Sequence, residues 1–519
     1  MEAPPDWLTP LPDAETMRAV DRWAIEERGV AGLDLMERAG AGVARAVERL
    51  APDGPVTVVC GKGNNGGDGL VVARLLRDAG RDVAVVCVAP PQELSGDART
   101  NLERLPGDPP LPVGEVPGRA AVIVDALLGT GFQGEPHGAV AEAIDAVGGA
   151  GAAVVSVDVP SGVDASTGVV AGRAVGASVT VTFHAAKPGL WIHPGKARAG
   201  TVETIDIGIP RGAPGEATIG LIEPWVLDAL PRRTATSTKF TSGHVLVVGG
   251  SRGLTGAPRM AARASMRAGA GYVTACVPAS LQPILAASET PELMTRGLPE
   301  EDGGLTAEGA ASVLEAAERG GAIALGPGLG RGAGAEAFAR ALAREAKVAM
   351  VLDADGLNAH AGRLQELAGR GAPTVLTPHA GELGRLLELD SSEIERERLR
   401  HVRAAAELAG AVVVLKGDDT LVADSSGRVA VSRGASPALA TAGTGDVLTG
   451  VIATLLAQGL DGFTAAAAAV WLHAEAGRRA AGRVGAAEGV IAGDVIAALP
   501  AARSAAAGGE RQAGGGDHG

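Results

Sequence analysis

The sequence predicts two successive α/β domains, each three layers thick, with helices on both faces of a parallel sheet. Three observations carry this. The chain of 519 residues is longer than one ordinary core supports. Short β-branched runs alternate with helical stretches along most of it, the pattern of buried parallel strands joined by crossover helices. The alternation stops at a Pro/Gly-rich break, 210–216, and then starts again.

In chain order, 13–50 reads as helix, with apolar residues at Met17, Val20, Trp23, Ile25, Met36, Val43, Val47 and Leu50. Buried strands are expected at Val56–Cys60, Val83–Val88, Ala121–Val124 and Ala153–Val157. Val179–Phe183 and the stretch to Ile209 lie nearer the edge. After the break, strands are expected at Val245–Val248, Tyr272–Val277, Ala322–Leu325, Ala349–Leu352, Thr374–Leu376 and Ala411–Leu415. This reading assigns 1–212 to a first domain, 213–230 to a linker and 231–504 to a second domain. Residues 505–519, rich in Gly, Ala and polar residues, are expected to be a disordered tail.

Composition narrows the function. Hydrophobic residues at 46% and charged residues at 20% fit a soluble globular protein. Aromatics at 2% leave no stacking platform for single-stranded nucleic acid, and a net charge of −14 opposes binding to nucleic acid or acidic membranes. Phosphates must therefore be held by local devices such as glycine loops and helix N-termini. Cys60, Cys87 and Cys276 have no metal-ligand spacing and read as reduced, packed thiols. No signal peptide or membrane span is read, so a cytoplasmic protein acting on small molecules is expected, with no nucleic acid or membrane partner, as a homo-oligomer. Lysines are scarce, six against forty arginines, which draws attention to Lys62 and Lys416 beside glycine-rich motifs.

The first domain carries Gly61-Lys62-Gly63-Asn64-Asn65-Gly66-Gly67-Asp68-Gly69 between a strand and a helix read over Leu70–Ala79. That is where open α/β sheets bind ligands. It is not a dinucleotide fingerprint, because the next strand ends Val88-Ala89-Pro90 with no acid to grip a ribose. Three further oxygen-rich turns follow strands: Asp125 to Gly131, Ser156 to Asp164, and Thr182-Phe183 leading to Lys187-Pro188-Gly189. In order and spacing, Gly61–Gly69, Asp125 with Gly129–Gly131, and Asp158–Gly162 resemble the NAD(P)H-hydrate epimerase family over about residues 10 to 212, which implies a Rossmann-like αβα domain. The resemblance implies a potassium ion on Asn65, Asp125 and Ser161, whose amide, carboxylate and hydroxyl oxygens suit a hard cation. It implies contact with the hydrated nucleotide from Asn64, Asn65, Gly66, Gly67 and Asp68, from Gly129, Thr130, Gly131, Phe132, Gln133, Gly134 and Glu135, and from Asp158, which would move protons at the nicotinamide carbon. Two positions depart from the family pattern. Some members carry lysine where Gln133 stands, and Arg38 occupies a position where Asn is expected.

In the second domain, Gly443-Thr444-Gly445-Asp446 precedes a helix read over Val447–Leu456. Free backbone N–H groups and the helix dipole there would stabilise a phosphoryl group in transfer, and Asp446 could take a proton from the attacking hydroxyl. Lys416-Gly417-Asp418-Asp419-Thr420, after a buried strand, suits a nucleotide, and no P-loop occurs. This set points to a ribokinase-like αβα domain. Together with Thr255-Gly256-Ala257, Gly326–Gly330 and Thr377–Glu382, it resembles the ADP/ATP-dependent NAD(P)H-hydrate dehydratases over about residues 230 to 500. The resemblance implies that Ala257, Gly328, His379 and Asp446 contact the hydrated dinucleotide. It also implies that Lys416, Gly417, Asp418, Asp419, Thr420 and Gly445 contact ADP or ATP carrying Mg2+. Asp353 and Asp355 can also be read as caps for Gly356–Leu357. Two alternatives remain at this point: a small-metabolite alcohol kinase with a nucleotide-binding front domain, and a front domain that binds without catalysing.

Overall fold

A computed structural model of the chain describes residues 5–115, 119–287 and 290–504. The expected tail, 505–519, lies outside the described residues. The first sheet is parallel throughout, in the order Leu111–Pro112, Val83–Cys87, Val56–Cys60, Val122–Ala126, Ala153–Val157, Val179–Phe183, Thr201–Ile205. Successive strands are added to one side and then to the other. The chain reverses direction of growth between Val56–Cys60 and Val122–Ala126, so the crevice at their carboxyl ends opens beside Gly61 and Asp125. Approach there is close: a Cβ on Gly61 would sit 2.0 Å from the Leu127 carbonyl oxygen, and one on Gly66 would sit 1.9 Å from that of Gly61.

The second sheet has a parallel run ordered Val412–Leu415, Thr374–Leu376, Ala349–Leu352, Ala322–Leu325, His244–Val248, Tyr272–Pro278, Met294–Leu298. Its switch point lies between Ala322–Leu325 and His244–Val248. The central strands are entirely buried, and helices Gly256–Ala268, Thr444–Ala457 and Gly462–Val484 supply small apolar residues to one face.

The structure differs from the expected division of the chain in two places. Leu8–Pro10, expected in the first domain, pairs antiparallel with Ile219–Ile222, which lies in the expected linker. Ile219–Ile222 in turn pairs with Val429–Val431, so both segments extend the second sheet. Unlike the equally short Thr374–Leu376 and Ala349–Leu352, these segments stand outside the strand–helix alternation that marks the other strands, and their burial comes from pairing rather than from pattern. The short strands Leu421–Ala423 and Val429–Val431 escaped the sequence reading for the same reason. The helix after the first glycine loop begins at Asn64 rather than Leu70: Gly66, Gly67 and Gly69 are weak helix formers that hide its first turns in the sequence, and they are kept there by close packing.

Trp7 anchors the N-terminal strand: it is buried in the second domain's core, its ring centroid 5.7 Å from that of Phe463. Trp7→Ala is expected to cost about 3 kcal/mol or more. Hydrogen exchange should show lost protection in Ile219–Ile222 and Val429–Val431 with Val56–Cys60 unchanged. Equal loss in both sheets would contradict this placement.

Candidate functional site

At the first switch point, Asp125 ends its strand fully buried. Its carboxylate accepts from Ser156 Oγ at 2.8 Å, Ser161 N at 2.9 Å, Ser161 Oγ at 2.5 Å and Leu127 N at 3.3 Å. Asn65 Nδ2 donates to the Leu128 carbonyl at 2.9 Å, and the Leu128 N–H donates to Ser161 Oγ at 2.9 Å. Asn65, Leu128, Ser161 and Asp125 therefore form one connected polar cluster. Burial pushes the Asp125 carboxyl up from its ordinary range, and the four donors only partly offset this. Among the described residues no cationic side chain pairs with it. A buried carboxylate with neutral donors, an amide and a hydroxyl fits a monovalent cation that completes the charge. No group of three His, Cys, Asp or Glu side chains able to hold a metal occurs among the described residues.

Asp158 follows the next strand in a left-handed backbone conformation, φ +65°. That strained turn places its carboxylate against four donors. Lys187 Nζ lies 2.5 Å away, Thr182 Oγ1 3.0 Å and Phe183 N 3.4 Å, and Thr130 also donates to it. Lys187 is 1% exposed and is held besides by Thr182 Oγ1 and the Phe183 carbonyl. Burial alone would raise the Asp158 carboxyl, but the Lys187 charge and the hydrogen bonds outweigh it and hold the group below its ordinary value. Asp68 behaves in the opposite way: burial first, then repulsion from Asp158 and Asp21, raises it well above the ordinary range. Asn64, Asp68, Thr130, Asp158 and Lys187 line one cavity of about 180 Å³. Two carboxyls shifted in opposite directions, Asp158 down and Asp68 up, therefore face the same space, an arrangement that suits acid–base chemistry. Gly131, Gln133, Gly134 and Glu135 are exposed, with Phe132 half-buried beside them. Arg38 donates to the Ile207 carbonyl at 3.2 Å, which ties its helix to the end of the sheet.

In the second domain, Gly443 adopts φ +90° and caps helix Thr444–Ala457. The next strand ends bring Asp353 and Lys416 to that helix N-terminus. Asp353 is buried and accepts from Lys416 Nζ at 3.0 Å, Thr377 Oγ1 at 2.9 Å and Thr449 Oγ1 at 2.8 Å. Neither Asp353 nor Asp355 caps Gly356–Leu357 with its side chain: Asp355 instead accepts from the Gly330 N–H and the Arg331 guanidinium. Lys416 also lies 3.5 Å from Glu382 Oε2. Burial, then repulsion by Asp353, raises Asp446 to about 7, with Lys416 pulling the other way. A carboxylate tuned to that value suits a general base.

Gly328 adopts φ +64°, and a Cβ there would lie 2.6 Å from the Leu254 carbonyl and 3.3 Å from Ala257 Cβ, so Ala257 and Gly328 are neighbours. Met260, one turn after Ala257, packs at Gly443. His379 caps helix Ala380–Leu387 through Nδ1, which accepts from Gly381 N at 3.0 Å, while Glu382 reciprocates on the His379 N–H. The ring remains exposed. Lys416, Gly417, Asp418, Thr420, Thr444 and Gly445 line a cavity of about 490 Å³ whose far wall is Pro437, Leu439 and Leu448. Asp419 does not reach that cavity: it is buried against Arg398, at 3.0 Å. Another cavity, of about 590 Å³, lies between Pro12, Trp191 and Arg433 and holds none of the sequence-predicted site residues.

Sequence reasoning missed Lys187, Asp353, Glu382 and Thr449 as site groups. Lysine scarcity was a usable signal for Lys187, one of the few in the chain, whereas Lys62 proves exposed.

Fold and sites define a class: a tandem α/β protein with a ligand crevice at each sheet's switch point, the second built around a helix N-terminus and a tuned carboxylate. Comparison with known proteins narrows it. A family model described as NAD(P)H-hydrate dehydratase matches residues 245–501, and one described as YjeF-related protein N-terminus matches 32–189. The bifunctional NAD(P)H-hydrate repair enzyme Nnr of Moorella thermoacetica is 41% identical over 509 residues, covering 94% of this chain and 96% of that protein. The enzyme of the same name from Salinibacter ruber is 43% identical, with 95% of each chain covered, and that of Escherichia coli K12 is 34% identical, covering 94% of this chain and 92% of that one. A crystal structure of Bacillus subtilis ADP/ATP-dependent NAD(P)H-hydrate dehydratase, co-crystallised with ATP/Mg2+, is 29% identical with a TM-score of 0.47, covering 54% of this chain and 96% of that one. The chain belongs to the family of bifunctional NAD(P)H-hydrate repair enzymes.

With Asp446 as base, kcat/KM for the second domain's reaction should fall about tenfold per pH unit below about 7, because the protonated carboxyl cannot accept the proton, and level off above it. A profile flat down to pH 5 would remove Asp446 from that role.

Proposed function

We propose that this protein repairs hydrated NADH and NADPH: the first domain interconverts the R and S forms at C6 of the nicotinamide ring, and the second dehydrates the S form at the expense of ADP or ATP. The observation that carries the second half is Asp446, raised to about 7 beside the N-terminus of helix Thr444–Ala457. Hydroxide is a poor leaving group, so the C6 hydroxyl must first be esterified. Asp446 takes the hydroxyl proton as the oxygen attacks the terminal phosphorus of the nucleotide. The N–H groups at the helix start receive the charge that develops on the phosphoryl oxygens. The ring nitrogen then expels phosphate from C6, and loss of a proton from C5 restores the dihydropyridine. Lys416 holds the nucleotide phosphates, and the apolar wall of Pro437, Leu439 and Leu448 takes the base. Magnesium would be held by the nucleotide phosphates, whose charge it neutralises when bound.

In the first domain, C6 of the hydrate carries both the hydroxyl and the ring nitrogen. Asp158, held ionised by Lys187, takes the hydroxyl proton as the C6–N1 bond opens to an aldehyde, and protonated Asp68 supplies a proton to N1. Reclosure on the other face with the protons returned inverts the centre. Asn65, Asp125 and Ser161 would hold a potassium ion, which supplies the charge that Asp125 lacks. A small-metabolite kinase is disfavoured, because the matched relatives carry both halves over the full chain. Cytoplasmic residence fits the three buried free thiols, and no helix among the described residues is long and apolar enough to cross a membrane.

Single variants separate the halves. Asp446→Ala should abolish phosphate release and leave R/S interconversion intact, while Asp158→Ala should do the reverse, both followed by chromatography of the hydrates. Retained dehydration in Asp446→Ala would overturn the assignment. Replacing potassium by lithium should slow epimerisation in the wild type and make no further difference in Asp125→Asn. Equal rates in both salts for the wild type would remove the cation from the account.

A further inference from the structure

The nucleotide loop of the second domain is held from the first. Asp418 Oδ2 lies 2.6 Å from Lys196 Nζ and 3.5 Å from His193 Nε2, and Asp419 Oδ2 accepts from the His193 N–H at 2.8 Å. Lys196 and His193 belong to the connection that leaves the first sheet after Val179–Phe183 and returns at Thr201–Ile205. The segment is internally braced: Ile192 N donates to the Pro188 carbonyl, Lys196 N to that of Ile192 and Gly195 N to that of Gly168. Ile192 is wholly buried in the second domain's core. The segment therefore presents a preformed cation and a backbone donor to a loop that it does not otherwise belong to.

On the receiving side, Asp418 lines the 490 Å³ cavity together with Lys416, Gly417 and Thr420. Its backbone carbonyl and Oδ1 both accept from Ala435 N, at 3.0 and 3.1 Å, so the carboxylate is fixed in the cavity wall. An unpaired carboxylate at that position would repel the phosphates of an incoming nucleotide. Paired with Lys196, whose side chain is 16% exposed, the repulsion is cancelled at short range. Asp419, 1% exposed, is shared between Arg398 and the first domain's backbone, which fixes the following peptide of the loop.

We propose that Lys196 of the first domain is a positioning residue of the second domain's nucleotide site, acting through Asp418, so that the epimerase half completes the dehydratase half's nucleotide site. The proposal rests on the reading that ADP or ATP binds at Lys416–Thr420. It predicts a dependence confined to nucleotide affinity, since neither Lys196 nor Asp418 lines the cavity around Asp158.

The test uses the full chain. In Lys196→Met, the Kd for Mg-ADP by calorimetry and the dehydration KM for ADP should rise about three- to fivefold, the upper end of what losing one partly exposed charge partner gives. The kcat, the KM for the hydrate and the epimerisation rate should stay within about twofold of wild type. Lys196→Arg should recover most of the affinity, and Lys196→Gln serves if the Met variant folds poorly, with epimerisation as the check on folding. Adding Asp418→Asn to Lys196→Met should have a smaller effect than it has in the wild type, because the two act as one unit. Unchanged ADP affinity in Lys196→Met and Lys196→Gln would overturn the proposal, as would full additivity with Asp418→Asn. Wild-type ADP affinity in Lys416→Met would instead overturn the underlying placement of the nucleotide.

Discussion

A carboxylate at the carboxyl end of a buried parallel strand loses its hydration, and it stays charged only if a cation or several donors replace that water. Three aspartates in this protein stand in that position, and each is answered differently. Asp158 has Lys187, Asp353 has Lys416, and Asp125 has only neutral donors. The two lysine pairs fix which carboxyls remain anionic. Burial first, and then repulsion by the aspartate of each pair, raises a neighbour against the pull of the lysine, Asp68 in one case and Asp446 in the other. The acid–base character of both sites thus follows from burial together with two buried ion pairs, and removing one partner of a pair would leave the other charge buried and uncompensated.

Much of this was legible in the sequence, because α/β sheets put their ligands at strand ends and glycine turns mark those ends. Gly61, Gly66 and Gly443 announce themselves: two meet backbone where a Cβ would sit, and the third turns left-handed to cap a helix. The buried strands were readable as β-branched runs. Leu8–Pro10, Ile219–Ile222, Leu421–Ala423 and Val429–Val431 were not, since they stand outside the strand–helix alternation and only tertiary pairing defines them. That is why a stretch expected to be a linker proves to be part of a sheet.

The site partners were the least legible part. Lys187 is 29 residues from Asp158, and Lys416 is 63 from Asp353, so no local motif joins them. Asp419 reads in sequence as one more member of a nucleotide loop, yet it is turned away into a pair with Arg398. Side-chain direction in a loop depends on which elements pack around it, and here one of those elements comes from the other domain.

The central claim is that one chain carries both halves of the repair. It is tested most directly by mixing the protein with a racemic C6-hydrate of NADH, magnesium, potassium and ADP, and following the reduced-nicotinamide absorbance. The account expects recovery of all the NADH, because the R form is converted as the S form is consumed. Recovery that halts at about half the racemate would contradict an active first domain, and no recovery with either ADP or ATP would contradict the repair function itself.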